Sequence, residues 1–311
     1  MCVGNQTVVT EFLLLGFRGI YKYKLPLFIV FLFSYLVILI GNLLIIVLVS
    51  TNDDLKIPMF IFLKHLAIAD VLITTTIMPM MLDIIVVDEK RVSVSGCLAQ
   101  LYLFFISGFV QCFLIAIMSY DRYLAICCPM RYHSMMYPQL CLKMVLGSWS
   151  LIFFLSCESY LVLQLEFCGH NAIDHFFCDF RPVVKLATSD TTLLALVDFS
   201  SSLVVFITPF ALIIMSYIWI FFTIMTLPST SGRRKAFSTC SSHLATVFLY
   251  YGTLMMVYME PWNDSSFSTN KFKSLLYVVV TPMMNPIIYS LRNPEIRRTL
   301  QQIVRRLRDS N

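Results

Sequence analysis

Charged residues are scarce in this chain of 311 residues. Only 13% of its residues are Asp, Glu, Lys or Arg, whereas hydrophobic residues make up 58%. Soluble domains contain about 25% charged and about 45–50% apolar residues, so this composition excludes a soluble globular protein. It also excludes a disordered chain, a coiled coil and a collagen-like fibre, each of which has a different composition.

The sequence also lacks the residue patterns that are typical of enzymes and of transporters. The five histidines are scattered, without metal-ligand spacing to Cys, Asp or Glu, and no nucleophile–base pair accompanies them. The paired interrupted helices and charge relays of a transporter are not evident. We therefore predict no enzymatic activity, no cofactor and no metal site. The first 24 residues lack the pattern of a cleavable signal, so the first apolar block is expected to direct membrane insertion.

The chain does contain long apolar blocks with few or no charges. A helix of about 20 apolar residues crosses the roughly 30 Å core of a bilayer, so each block predicts one span. Residues 36–49 do not alternate between polar and apolar as a transmembrane β-barrel requires. We predict an all-α membrane protein, a seven-helix bundle over residues 25–292, with spans at Leu25–Ser50, Met59–Leu82, Cys97–Tyr120, Met144–Leu165, Phe199–Leu227, Ala236–Met259 and Ser274–Leu291.

The basic residues are distributed unevenly between the two predicted sides of the membrane. One side, with the C-terminus, holds fourteen basic and five acidic residues, and the other holds nine of each. The positive-inside rule then predicts residues 1–24 outside and residues 293–311 in the cytosol. The basic balance is therefore a signal of membrane topology, with membrane lipid as an expected partner, and not a nucleic-acid footprint. A short amphipathic helix is predicted from about residue 293 to 307, because apolar residues recur there at helical spacing beside arginines (Ile296, Leu300, Ile303 and Leu307).

A few polar residues lie inside the predicted spans, where burial is costly and function is a standing hypothesis. Asp70 lies mid-span, with Asn42 and Asn285 as potential partners. Pro286 follows Asn285, frees a backbone carbonyl and creates a hinge. The pattern fits two readings equally well: a structural cluster that holds the helices in register, and a rearranging, cation-linked switch.

Motifs at the helix ends together resemble one protein family. In order, they are Gly41-Asn42, PMFIFL at 58–63, MSYDRYLAIC at 118–127, Ser216-Tyr217, KAFSTCSSHL at 235–244 and PMMNPIIYSLRN at 282–293. Over nearly its whole length the chain resembles a rhodopsin-like (class A) G-protein-coupled receptor, and more narrowly an olfactory receptor. The Asp-Arg-Tyr triplet alone would be weak, but the last two motifs together are highly specific.

The resemblance implies a multi-pass receptor of the plasma membrane. It would bind a small volatile odorant in the outer half of the bundle and activate a stimulatory, olfactory-type G protein that raises cAMP. A class A receptor for a peptide or a lipid is the alternative. The residues implied in coupling and switching are Asp121, Arg122, Tyr123, Tyr217, Asn285, Pro286 and Tyr289.

Further absences narrow the class of ligand. The last span has no lysine to bind retinal, and Phe104 stands where amine receptors place an aspartate. Aromatic residues, methionine and a few hydroxyls suit a small, mostly uncharged volatile, although each of these residues could instead simply pack between helices. The predicted lining is Phe104, Phe105, Gly108, Phe109, Ser201, Ser202, Val205, Phe206, Tyr251, Met255 and Tyr258.

Three cysteines fall on the predicted outer side: Cys97 at the end of the third span, and Cys168 and Cys178 in the long second outer connection. A disulfide is chemically reasonable there, and free thiols are the alternative. The resemblance implies that Cys97 pairs with Cys178. Relatives carry a further cysteine late in this connection, where residues 186–190 read LATSD, so a second loop disulfide through Cys168 is not expected.

Other features modify the comparison with the family. Gln111 replaces a glutamate near Asp70, which gives a polar cluster of Asn42, Asp70, Gln111 and Asn285 and argues against bound sodium. Residues 233–235 read RRK, so an acidic clamp on Arg122 is not expected. Asn5 begins a glycosylation sequon on the predicted outer side, and Asn263 begins a weaker one close to the membrane.

Overall fold

The computed structural model describes residues 7–17, 21–156, 158–258, 267–292 and 294–309. Both predicted glycosylation sites, Asn5 and Asn263, lie outside these residues. The described chain is chiefly helical, and seven helical segments correspond to the predicted spans. We number them span 1 (Lys24–Thr51), span 2 (Pro58–Val87), span 3 (Val94–Cys127), span 4 (Pro138–Leu155, then Glu158–Leu163), span 5 (Thr192–Thr226), span 6 (Thr230–Tyr258) and span 7 (267–292).

Five of these segments, spans 1 to 5, are long and apolar enough to cross a membrane among the residues that the structure describes. Span 6 is less apolar because its first turns carry the basic stretch around Arg233 and Arg234. The all-α membrane fold predicted from the sequence is therefore confirmed.

Span 3 forms the centre of the bundle. It packs against spans 2, 4, 5 and 6, and its buried residues extend from Cys97 to Leu124. Span 1, in contrast, exposes many large apolar side chains, such as Ile29, Phe33 and Ile40. A membrane helix can present such side chains to lipid because acyl chains are as apolar as a protein core.

Spans 5 and 7 share a local irregularity. Each contains a wide π-helical turn, at Leu203–Ile207 and Leu276–Val280, followed directly by a Thr-Pro pair. Proline lacks a backbone N–H and its ring clashes with the carbonyl four residues earlier, so a widened turn relieves the clash. Both distortions lie near the end of the bundle where the pocket is predicted.

A small sheet covers one end of the bundle, and nothing in the sequence pattern predicts it. Strand β1 (Glu11–Leu14) pairs antiparallel with β2 (Lys90–Ser93) and parallel with β3 (Ala172–Ile173). Phe12 and Leu14 of β1 are fully buried. The segment before span 1 is thus packed onto the long loop, defined here as residues 164–191.

The C-terminal helix runs Pro294–Asp309, close to the predicted amphipathic helix. Ile296 is buried and Leu300 packs against the core, whereas Arg297 and Arg298 are exposed. The helix therefore separates an apolar face from a basic one, as predicted from the spacing.

Candidate functional site

Aromatic side chains of span 3 form a stack beneath the sheet. The rings of Phe105 and Phe109 lie 5.2 Å apart, and Phe109 meets Phe206 of span 5 edge-on at 5.6 Å. Phe104 contacts Tyr277 of span 7 at 5.7 Å. Phe105 and Phe109 are one helical turn apart and lie on the same face of span 3, whereas Phe104 lies on the neighbouring face. The stack therefore joins spans 3, 5 and 7.

A group of hydroxyls and one thiol lies below this stack. The Tyr250 hydroxyl donates to the Gly108 carbonyl oxygen at 2.5 Å and lies 3.2 Å from the Cys112 sulfur. A methyl group on Gly108 would overlap the Tyr277 hydroxyl. Glycine is therefore required at position 108 because span 7 approaches span 3 so closely there.

Tyr251 offers a polar group to this apolar region. Its side chain is 5% exposed and packs against Phe210, with ring centroids 4.9 Å apart. The Cys112 thiol is a polar neighbour, yet no group in the described structure meets hydrogen-bond geometry with the Tyr251 hydroxyl. A buried hydroxyl without a partner is costly, and a bound molecule with an oxygen atom would satisfy it.

The structure assembles only part of the predicted lining. Phe104, Phe105 and Phe109 come together with Phe206 as predicted, and Val205 is fully buried nearby. Ser201 is buried but donates to a backbone carbonyl of its own helix, and Ser202 is half-buried. Met255 is 42% exposed. The side chain of Tyr258 lies outside the described part of the chain.

Sequence reasoning missed three residues at this site: Cys112, Tyr250 and Tyr277. Tyr250 directly precedes the predicted Tyr251, and Tyr277 is a rare polar group in the outer half of span 7. The hydroxyl groups of the two tyrosines were the only feature of the sequence that could have identified them. The sequence does not show which face of each helix turns toward the core, because apolar residues surround both tyrosines.

The long loop is fixed to the bundle at several points. Cys97 and Cys178 form a disulfide, as the family resemblance implied, with Cα atoms 5.4 Å apart. The Gln100 side chain accepts from the Cys178 backbone N–H at 2.9 Å and donates to the Thr76 carbonyl at 2.8 Å. Phe177 then packs 5.3 Å from Phe104. The loop thereby covers the aromatic stack.

Cys168 of the long loop is also disulfide-bonded. The late part of the loop carries no cysteine, so this bond does not contradict the expectation that the loop forms no second disulfide within itself.

His175 is buried in the long loop, between two phenylalanines. It is 4% exposed, and its ring centroid lies 4.6 Å from those of Phe176 and Phe177. Burial, reinforced by the nearby Lys271 ammonium, lowers the pKa of His175 to about 3. Lys271 itself pairs with Asp174 at 2.5 Å and donates to the Gly16 carbonyl at 2.7 Å. His175 is accordingly neutral in the folded loop.

This burial predicts a loss of stability on acidification. An unfolded histidine titrates near its ordinary pKa of 6.5. Below that pH the unfolded chain binds a proton that the folded loop excludes, so the stabilisation is complete above pH 6.5 and declines as the pH falls further. Thermal inactivation of the solubilised protein, measured from about pH 7.5 to about pH 5, should accelerate less in His175→Asn than in wild type. His133→Asn, at an exposed position, is the control; equal acid sensitivity in His175→Asn and wild type would contradict the assignment.

The predicted polar cluster inside the membrane forms in the structure, except that Asn42 contacts span 7 and not Asp70. Both Asp70 carboxylate oxygens accept amide hydrogens, from Gln111 at 3.2 Å and from Asn285 at 2.9 Å. Asn42 instead donates to the Pro282 carbonyl of span 7 at 3.1 Å. All four polar side chains are almost completely buried. These contacts tie spans 1, 2, 3 and 7 together.

Arg122 and its neighbours occupy the opposite end of span 3. The Arg122 guanidinium lies 3.4 Å from the Asp121 carboxylate and touches the Met59 sulfur of span 2. Asp121 also accepts from the Tyr132 hydroxyl at 2.8 Å. The Asp121 side chain is 1% exposed and that of Arg122 is 12% exposed, so the pair is well shielded from solvent. Tyr123 packs beside Tyr120 and near Ile220 of span 5.

Nearby, one histidine joins three spans. The His243 ring of span 6 lies 2.7 Å from the Tyr217 hydroxyl of span 5 and 3.1 Å from the Ile115 carbonyl oxygen of span 3. Tyr289 of span 7 is fully buried, and Pro286 packs against Gly41 of span 1. Sequence analysis predicted Tyr217 but missed His243 as its partner. His243 is the penultimate residue of the KAFSTCSSHL motif, and its place in that motif was the signal available in the sequence.

The family model described as olfactory receptor matches residues 31–307. Human olfactory receptor 10A7 is 44% identical over 305 residues, which cover 98% of this chain and 96% of that protein. Human olfactory receptor 10A3 is 43% identical over 303 residues, 97% of this chain and 96% of the relative. Mouse olfactory receptor 5P76 is 43% identical over 302 residues, 96% of each chain.

Proposed function

Because the chain belongs to the olfactory receptor family and is a receptor rather than an enzyme, we propose that it binds small, mostly apolar volatile molecules beneath the long loop. The observation that carries this proposal is the stack of Phe104, Phe105 and Phe109, which is closed above by Phe177. No carboxylate or ammonium group takes part in these described contacts. Apolar burial would thus supply most of the binding free energy.

The size of such a ligand limits its affinity. A volatile that buries roughly 200 Å² would gain about 5 kcal/mol at about 25 cal/mol/Å², before the costs of association. Affinity is then roughly micromolar or weaker, and several related odorants should be tolerated. The unsatisfied Tyr251 hydroxyl would orient a ligand that carries an oxygen atom, with a hydrogen bond contributing about 1 kcal/mol.

We further propose that ligand binding releases span 6 at the Arg122 end. The contacts of His243 with Tyr217 and Ile115 hold spans 3, 5 and 6 together there. An outward movement of span 6 would break them and open a cleft beside Arg122 for the C-terminal helix of a G protein. The family supports a stimulatory, olfactory-type partner and a rise in cAMP.

The direct test measures cAMP in transfected cells exposed to panels of volatiles, peptides and lipids. A response confined to small volatiles is expected because the stack is apolar and lies beneath a covered end of the bundle. Responses to peptides alone would instead favour a class A receptor with an outer binding site. Responses to lipids alone would point to entry from the membrane.

Phe109→Ala should weaken the response to an identified odorant. Phe109 contacts two other rings of the stack and is 5% exposed, so its loss removes apolar contact on the order of 1.5–3 kcal/mol. The EC50 for cAMP should rise roughly tenfold or more, with unchanged surface expression. Phe248→Ala is the matched control, because Phe248 is 81% exposed on span 6. Equal EC50 values for the two variants would refute a binding role for the stack.

We also propose that the sheet end of the bundle faces the cell exterior, in the plasma membrane. The positive-inside rule supports this orientation, since the C-terminal helix and the connections at the Arg122 end carry the excess basic charge. An epitope tag added before residue 1 should be accessible to antibody on intact cells, and a C-terminal tag only after permeabilisation. The reverse pattern would overturn the orientation and the position of the pocket.

A further inference from the structure

One face of span 3 carries Phe105, Phe109 and Cys112 in a row. Successive members are about one helical turn apart, so the row is about 10 Å long. Phe105 and Phe109 belong to the aromatic stack, and the buried Cys112 thiol lies at the end of the row away from the sheet, 3.2 Å from the Tyr250 hydroxyl. A small odorant lying along the two rings would thus bring one end to this group of hydroxyls.

Two members of the group have already committed their hydrogens. The Tyr250 hydroxyl donates to the Gly108 carbonyl oxygen, 2.5 Å away. Because a hydroxyl has one hydrogen, the Tyr250 oxygen is the acceptor in its contact with the Cys112 thiol. Tyr250 and Cys112 therefore bind each other and the backbone of span 3, and neither has a hydrogen left for a ligand.

Tyr251 differs from these two residues. Its side chain is 5% exposed, its ring packs 4.9 Å from that of Phe210, and its hydroxyl meets hydrogen-bond geometry with none of the described groups. The Cys112 sulfur is a polar neighbour, but sulfur is only a weak acceptor. The Tyr251 hydrogen is therefore available to an oxygen atom of a ligand at this end of the row.

The best ligand oxygen here is one that carries no hydrogen. A carbonyl oxygen accepts from the Tyr251 hydroxyl and brings no further donor. An alcohol and Tyr251 would share one hydrogen bond, and the second hydrogen would need another acceptor. Of the described neighbours, the Gly108 carbonyl already accepts from Tyr250, and the Cys112 sulfur is weak. A buried donor without a partner offsets much of what the first hydrogen bond contributes.

We propose that this receptor selects carbonyl odorants over the corresponding alcohols through the Tyr251 hydroxyl. The proposal rests on the odorant pocket proposed above and specifies its polar end. The apolar part of the ligand lies along Phe105 and Phe109, and its carbonyl oxygen accepts from Tyr251. An aldehyde should have an EC50 about fivefold to tenfold below that of its alcohol, and the hydrocarbon should be weaker than the aldehyde by at least as much.

The test uses matched odorants and cells that express the full-length receptor. The probes are the straight-chain aldehydes from hexanal to decanal and phenylacetaldehyde, each with its alcohol and its hydrocarbon, in a cAMP assay. Wild type should prefer the aldehyde in every series to which it responds. Tyr251→Phe keeps the ring and removes only the hydroxyl, so the two EC50 values should become equal. Their ratio is compared within one variant, and a general loss of folding or coupling does not change it.

Tyr250→Phe is the matched control, because it removes a neighbouring hydroxyl that already donates to Gly108. Its ratio of EC50 values should remain that of wild type. An aldehyde preference that persists in Tyr251→Phe, a preference lost equally in Tyr250→Phe, or a wild-type preference for alcohols would overturn the proposal and leave the apolar pocket in place. A lack of response to every aldehyde would overturn it as well. The comparison of Phe109→Ala with Phe248→Ala, made with any identified odorant, tests the pocket separately.

Discussion

Arg122→Ala should abolish odorant-evoked cAMP while leaving the receptor at the cell surface. Arg122 lies at the end of the central span beside Asp121, with its guanidinium largely shielded from solvent. In the proposed complex Arg122 contacts the C-terminal helix of the G protein. Truncating one partner of a buried charged contact across an interface costs about 2–5 kcal/mol, which corresponds to a loss of G-protein affinity of at least about 30-fold. A cAMP assay with an identified odorant, alongside surface labelling, measures both quantities.

Folding should survive this substitution, since Asp121 keeps its hydrogen bond from Tyr132. Arg131→Ala is the matched control: Arg131 is an exposed arginine in the neighbouring connection. It should signal like wild type. Normal cAMP responses from Arg122→Ala would exclude the proposed contact with the G protein.

Cys97→Ser should sharply reduce the amount of receptor at the surface. The Cys97–Cys178 bond links span 3 to the long loop across 81 residues of sequence. Loss of a native disulfide of this kind typically costs about 2–5 kcal/mol, a large share of the stability of most folded proteins. Surface immunolabelling should fall at least tenfold, together with the maximal cAMP response.

A double variant separates the bond from the individual side chains. Cys97→Ser with Cys178→Ser should be no worse than either single variant, because both remove the same bond. Cys128→Ser changes a half-buried free thiol and should leave surface expression intact. Wild-type surface levels in Cys97→Ser would show that the Gln100 contacts hold the loop without the disulfide.

Local properties of the sequence were sufficient for the membrane spans. Blocks such as Leu25–Ser50 hold enough consecutive apolar residues to cross the bilayer, and helical structure satisfies the backbone wherever they lie. The amphipathic C-terminal helix followed from the same kind of reasoning, since Ile296 and Leu300 lie one turn apart on one face. The MSYDRYLAIC motif located Arg122, and the scarcity of polar residues inside apolar spans identified Asp70 and Asn285 as potential partners.

Contacts between distant segments were decided by tertiary structure alone. The pairing of Glu11–Leu14 with the long loop, the bond between Tyr217 and His243, and the approach of Tyr277 to Gly108 join residues far apart in the chain. Met255 was expected to line the pocket, and the structure leaves it 42% exposed. In a membrane, the residues that face lipid are as apolar as those that face the core, so the sequence pattern specifies where a helix lies but only weakly how it is rotated about its axis. The sequence alone therefore determined the spans and their motifs, whereas packing between the helices determined which side chains meet at the site.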